Sequence, residues 1–410
     1  MAQFMDVVSL TKGIRFMFYI ITPNESPFEN VEDVAPYVQQ ATPFFMGLMV
    51  VELVVSLLKD GTPLACVIDV VTSVSAGIIS RMPTLFARGF EITTYIYMWN
   101  NFCLLEPPWD SALAWWLAFL AVDFAYYWAH RFAHELNLLW ATHQVHHSSE
   151  YYNLSTALRQ SLTQQFSSWV FDLPMALAVP PSVFSVHIQF NLVYQDMGPL
   201  EWVLNTPSQH RVLHGKKESL FFALKHILLG TLIIRDRLFS TFAPDGDKVV
   251  YGLVHKINTC EILHIQFNYY KYLWRRFNRY KKIFNILGIL WKGPSWKPGK
   301  PKAGGSRRGV TGEELPYNPS WPLALQVYVC IHGLMLLCVY QDLFELRLVC
   351  IVNPESYRAK IPLPPLSKNP SQVSSAVIFG LLFSPGIVSV SQNVMSHPTL
   401  QTETKWPVFM

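Results

Sequence analysis

The stretch that decides the reading runs from Ser111 to His147, SALAWWLAFLAVDFAYYWAHRFAHELNLLWATHQVHH. Its first part, Ser111 to Ala129, is apolar apart from Asp123 and approaches the about 20 residues needed to cross a bilayer's hydrocarbon. Trp115, Trp116, Tyr126, Tyr127 and Trp128 stand near its two ends, where interfacial aromatics belong. Its second part carries His130, His134, His143, His146 and His147, five of the chain's thirteen histidines. An even spread would put roughly half a histidine in that window.

The spacing says more than the count. His130 and His134 are one helical turn apart and leave the same face; His143 stands in the same relation to His146 and His147. A further i, i+4 pair, His210 and His214, follows in SQHRVLHG. Imidazole is the usual nitrogen ligand of transition metals, and a site this poor in carboxylate does not suit magnesium or calcium. These seven histidines are therefore the candidate metal ligands. His187, His226, His255, His264, His332 and His397 are isolated and receive no catalytic role.

Polar neighbours complete the candidate site. Asp123 lies two turns before His130; it can accept the outer N–H of a ligand histidine, or pair with another helix. Glu135 follows His134 as an extra ligand or proton relay. In Asn153 to Gln160 (NLSTALRQ), Asn153 and Arg159 are candidates for lining a substrate or cofactor mouth, Arg159 as an anion contact; such groups can equally cap a helix.

Further outward, the 410 residues are 51% hydrophobic and only 15% charged, with a mean hydropathy of +0.22. Soluble domains carry about 25% charged residues. Disordered, collagen-like and ordinary cytosolic classes are excluded, and a net charge of +4 is too small to indicate nucleic acid. The six cysteines form no C-x-x-C pair, which argues against a disulfide framework or a thiolate zinc site. No cleaved signal peptide is expected at Met1 to Lys12, so the internal apolar segments would insert the chain.

Those segments are Pro43 to Leu58, Ser111 to Ala129, Trp321 to Tyr340 and, more weakly, Ser374 to Val390. Phe166 to Tyr194 is broken by Pro174 and Pro180-Pro181 and reads as two short helices or a re-entrant hairpin. From Lys271 to Arg308 there are twelve basic residues and no acidic one, which predicts a cytoplasmic face able to lie against anionic headgroups. The expected fold is thus all-α, a multi-pass transmembrane helical bundle with a cytosol-facing, histidine-rich metal site. Its expected divisions are an N-terminal segment at 1–42, a catalytic region at 43–270, a basic cytosolic loop at 271–320 and C-terminal membrane segments at 321–410.

The pattern H-x3-H, then H-x2-HH, then a later histidine pair resembles the membrane fatty-acid hydroxylase and sterol desaturase superfamily. The text around it (HRFAHELN, THQVHHSSEYYNLSTALRQS, GPLEWVLNTPSQHRVLHG, GTLIIRDRLFSTF, DKVVYGLVHKINT, KGPSWKPGKP) is similar to the superfamily's glyceryl-ether-cleaving branch, from about Val8 to about Tyr317. The resemblance implies a multi-pass protein of the endoplasmic reticulum with two iron ions held by the seven histidines named above, and Glu135 as the acid beside the first box. It implies dioxygen and tetrahydrobiopterin as co-reactants, membrane lipids as surroundings, and an alkylglycerol or lyso-ether lipid as substrate. Hydroxylation next to the ether oxygen would release a fatty aldehyde and a glycerol derivative. Chemistry on an unactivated C–H bond needs a redox metal, which zinc is not; the absence of H-E-x-x-H also disfavours a zinc protease.

The chain departs from the family's pattern in one region. Leu213 stands before His214 where the family has a histidine, and Gln209 precedes His210. Tyr194 to Gly198 is shortened and lacks a further histidine, Lys216 to Gly230 lacks the family's polar text, and the tail from Ile351 no longer resembles it. The implied second iron site is correspondingly weakened. An impaired or non-catalytic homologue, or a related fatty-acid or sterol hydroxylase, stands as the alternative reading.

Overall fold

In the computed structural model the described residues are 10–60, 64–190, 214–215, 232–241, 250–294, 296–299, 315–319, 321–322, 324–333 and 335. Among them the architecture is helical, and the sole sheet-like pairing between described residues is a single bridge between Gly215 and Tyr251. The helices are α1 (Leu10–Met17), α2 (Tyr37–Asp60), α3 (Leu64–Arg81), α4 (Thr84–Phe102), α5 (Ala112–Glu135), α6 (Asn137–His143), α7 (Gln165–Ser168), α8 (Pro181–Phe190), α9 (Ile234–Leu238), α10 (Ile262–Arg279) and α11 (Ile283–Trp291).

Among the described residues, two segments are long and apolar enough to cross a membrane, Val31–Ser56 and Ala112–Glu135. α5 starts where expected because Ser111, in an extended conformation, accepts a hydrogen bond from the Ala114 amide and caps the first turn. It runs six residues past the apolar stretch and carries His130 and His134 on its last turns. Trp321 to Tyr340 is helical over Ala324–Gly333, and Ser374 to Val390 lies outside the described residues.

α3 and α4 were not anticipated. Asp69 interrupts the hydropathy of α3, as Arg88 and Glu91 do that of α4. The Asp69 charge is tolerated because Arg159 meets it at 2.7 Å. The segment after Phe166 is broken as the prolines require. Helical turns at Gln165–Ser168, Trp169–Phe171 and Leu173–Leu177 precede α8, with Pro174 near the start of one turn and Pro181 opening α8. Within the described part of the basic stretch, α10 continues to Arg279 and α11 covers Ile283–Trp291. Its helical periodicity was hidden by charges that leave one flank polar.

One apolar core joins α4, α5 and α8 through Tyr95, Val122, Met175, Val183 and Phe184, where Tyr95 stacks on Phe184 at 4.1 Å. A second joins α6, α10 and α11 through Ala141, Leu273, Ile289 and Trp296. Between these cores lies the histidine-bearing end of α5.

Candidate metal centre

The site is built on a reversal of the chain. Leu136 adopts extended angles (φ −107°, ψ 128°), ends α5, and lets α6 fold back against it. Asn137 fixes the reversal with its whole polar complement. Its amide donates to the Lys292 carbonyl at 2.9 Å, its Nδ2 to the Ile289 carbonyl at 2.7 Å, and its Oδ1 accepts from the Tyr269 hydroxyl at 2.5 Å. His143 closes α6, and His146 and His147 occupy a short turn after it.

The result brings ring nitrogens of His130, His134, His143 and His147 within 4.8 Å of one another. The Nε2 atoms of His130 and His143 are 3.0 Å apart, those of His134 and His130 3.1 Å, and those of His147 and His143 3.1 Å. Metal–nitrogen bonds of about 2.1 Å at right angles place neighbouring nitrogens about 3.0 Å apart. The donor set therefore fits a transition-metal ion: imidazole nitrogens, on three buried rings and one half-buried ring, at coordination-edge separations.

His146 turns to the other side. Its Nδ1 donates to the Arg159 carbonyl at 3.2 Å, and its ring lies 4.6 Å from that of His214, which also stacks on His147 at 4.5 Å. His143 is held similarly, its Nδ1 at 3.3 Å from Gln164 Oε1, an acceptor that leaves Nε2 for the cluster. Burial pushes His146 down to about 4 against a weaker opposing contribution from its backbone hydrogen bond. It pushes His147 well below the ordinary histidine range, helped by the neighbouring histidines. Both are therefore neutral at pH 7, each with one ring nitrogen able to offer a lone pair.

Each polar neighbour has a partner outside the four-histidine cluster. Asp123 takes the second of its two expected roles, pairing with another helix: Arg235 of α9 meets it, with Oδ2 and Nη1 2.5 Å apart and both residues buried. Glu135, offered as ligand or relay, accepts from Arg131 Nε at 2.9 Å, and Arg131 also donates to the Tyr127 hydroxyl. Neither carboxylate joins the four-histidine cluster. An arginine at each is the cheapest way to hold a carboxylate where solvent is scarce. Asn153 caps the turn Leu154–Leu158, its Oδ1 accepting from Ser155. Arg159 does not face an open mouth: it is buried, paired with Asp69, and donates to Ser148 and Ser73. Its effect on the site runs through its own carbonyl on His146. His210, Gln209 and Leu213 lie outside the described residues.

Sequence reasoning missed the residues that hold the histidines. Gln144 donates to the Ile265 carbonyl, and Gln266 both accepts from the Leu162 amide and donates to the Gln160 carbonyl. Thr163 and Tyr270 share a 2.7 Å hydrogen bond. The available signal was the glutamine density of residues 160–165 and a glutamine in the middle of THQVHH. At Gly77 of α3 a Cβ would lie 2.7 Å from the Leu158 carbonyl, so glycine permits the close approach that brings Asp69 to Arg159.

Residues 115–241 match the fatty acid hydroxylase family. The chain is 55% identical to alkylglycerol monooxygenase of Danio rerio over 347 residues, 82% of this chain and 77% of that protein. It is 50% identical to alkylglycerol monooxygenase of Xenopus tropicalis, over 83% of this chain and 78% of that one. It is 47% identical to alkylglycerol monooxygenase of Homo sapiens, over 82% and 78%. No solved structure matches.

Proposed function

The chain belongs to the alkylglycerol monooxygenase family, and from that premise we propose that it is a membrane iron enzyme that oxidises the O-alkyl bond of ether lipids. Its substrate is an alkylglycerol or lyso-ether lipid. Hydroxylation of the carbon next to the ether oxygen gives a hemiacetal, which separates into a fatty aldehyde and a glycerol derivative. The observation that carries this reading is the convergence of the His130, His134, His143 and His147 nitrogens within 4.8 Å.

In the reading, His130, His134, His143 and His147 hold one iron, and His146, His214 and His210 contribute to a second. Bound iron supplies dioxygen activation that no side chain can supply, with tetrahydrobiopterin as the electron source. The chain's own residues keep the imidazoles neutral and aimed. The Arg159 carbonyl and Gln164 Oε1 fix the outer nitrogens of His146 and His143. Burial of the cluster keeps bulk water from it. Asp123 and Glu135, each held by an arginine, support the geometry of α5, and Glu135, beside the first histidine pair, is the proposed proton relay. The two long apolar segments support a multi-pass arrangement, for which the endoplasmic reticulum is the proposed membrane. The divisions at 1–42, 43–270, 271–320 and 321–410 remain part of the proposal, with the third now containing helix.

A second reading is favoured by Leu213 beside His214, where the resemblance calls for a histidine. A missing ligand costs at least the about 10–100-fold that loss of an outer partner costs. Purified protein should carry iron and release aldehyde from an alkylglycerol supplied with tetrahydrobiopterin. Iron without aldehyde would favour the impaired homologue, and Leu213→His should then restore turnover. Protein that binds no iron and releases no aldehyde would overturn the first reading and favour a non-catalytic homologue.

A further inference from the structure

α10 has three faces, not two. Ile262, Ile265, Gln266, Leu273 and Arg276 are buried against the protein. A second row, Leu263, Phe267, Tyr270, Trp274 and Phe277, recurs at steps of four, three, four and three, so it forms one continuous stripe. Leu263, Phe267, Trp274 and Phe277 in it are exposed, Trp274 at 66%. Along one flank of that stripe run Lys271, Arg275 and Arg279, all exposed.

α11 continues the pattern. Ile283, Phe284, Leu287 and Trp291 are exposed at helical spacing, Phe284 at 83%, with Lys281 and Lys282 just before them. An apolar groove of about 630 Å³ lies between the two helices and α6, lined by Leu138, Phe267, Trp274, Phe277 and Leu290. None of the ion pairs among the described residues involves Lys271, Arg275, Arg279, Lys281 or Lys282. No acidic residue occurs from Lys271 to Arg308.

We propose that α10 and α11 form an interfacial platform that docks on an anionic phospholipid leaflet, apolar stripe in the acyl boundary and basic flank on the headgroups. Neither helix is a span: α10 carries four Lys and Arg residues and α11 has nine residues, against the about 20 needed to cross. Exposed aromatics beside unpaired cations at helical spacing are what a helix lying in the plane of the interface requires. Charge complementarity commits the partner to anionic lipid over a neutral one or a second protein. The platform is also joined to the histidine reversal, since Tyr269 and the Ile289 carbonyl hold Asn137 and the Ile265 carbonyl holds Gln144. Docking therefore sets the depth of the metal-suited cluster relative to the headgroups. The docking itself does not depend on the reaction proposed above.

The test places p-benzoylphenylalanine at Phe284 and, separately, at Trp274 of the full-length chain in nanodiscs of mixed phosphatidylcholine and phosphatidylserine. Photoadducts are identified by mass spectrometry. The expected result is lipid adducts at both positions, with phosphatidylserine enriched about fivefold over its bulk share. The enrichment should disappear in the Lys271→Glu/Arg275→Glu/Arg279→Glu protein. The parent's lipid preference is read without that variant, so a folding failure of the variant leaves the test intact. Adducts to the chain itself, no adducts, or lipid adducts without preference for phosphatidylserine would each overturn the proposal.

Discussion

Along α5, the residues up to Ala125 meet the rest of the molecule mainly through apolar packing, with Trp115 Nε1 donating to Ser26 and Asp123 paired with Arg235 as polar contacts, whereas from Tyr127 onward hydrogen-bonded and imidazole contacts join the packing of the Tyr127, Trp128 and Phe132 rings. Ala118, Val122 and Ala125 pack against Tyr95, Met175, Val183 and Phe184. Arg131 donates to the Tyr127 hydroxyl and to Glu135, and His130 and His134 turn toward α6. Asp123 marks the border, a buried charge met by Arg235. One helix thus carries an anchor whose contacts are exchangeable and a site whose contacts are not. Apolar packing depends on volume, but a converging donor set depends on the position of each nitrogen to within about half an ångström.

The sharpest way to break this comparison is to remove one nitrogen. His130→Ala should lower aldehyde formation at least about a hundredfold and release the metal, with little loss of thermal stability; a variant that keeps its metal content would place the centre elsewhere. At the border, Asp123→Ala leaves the Arg235 guanidinium buried and uncompensated, and should cost about 3–5 kcal/mol. Denaturation of the double variant Asp123→Ala/Arg235→Leu should recover much of that loss, because both charges are then gone.

Two smaller effects sharpen the contrast. Phe184→Ala, in the anchor half, should destabilise by about 3 kcal/mol while the folded fraction retains its metal; metal content measured on that fraction separates packing from ligation. Acid should act on the other half. His146 has a folded-state value lowered to about 4 from the ordinary 6.5. The unfolded chain therefore takes up its proton first, and stability that is full above about 6.5 is lost as pH falls toward 4. For His146 alone the loss approaches about 3 kcal/mol at the acid end. Thermal melts of metal-free protein between neutral pH and pH 4 should show it, and a flat profile would mean that His146 is open to solvent.

Some of this was written in local order. The period of His130, His134, His143 and His147 follows from helical geometry, and the cap at Ser111 and the breaks at Pro174 and Pro181 follow from backbone chemistry. Where local rules failed, a remote partner was the reason. Asp69 sits in an otherwise apolar α3 because Arg159, 90 residues further along the chain, meets it. Arg159 looked like a substrate contact until Asp69, Ser73 and Ser148 occupied it. The helices of the basic stretch stayed hidden because their charges lie on one flank of a stripe, a fact of three-dimensional facing.

The amino-acid order alone determined a helical, apolar chain with imidazoles spaced to share faces, since hydropathy and a period of 3.6 are properties of neighbours. Which imidazoles point at a common centre was decided only by the tertiary structure. The turn at Leu136, the clamp on Asn137 from α10 and α11, and the carbonyl of Arg159 on His146 come from segments far apart along the chain. Direction in space depends on those distant hydrogen bonds, and no local pattern encodes them.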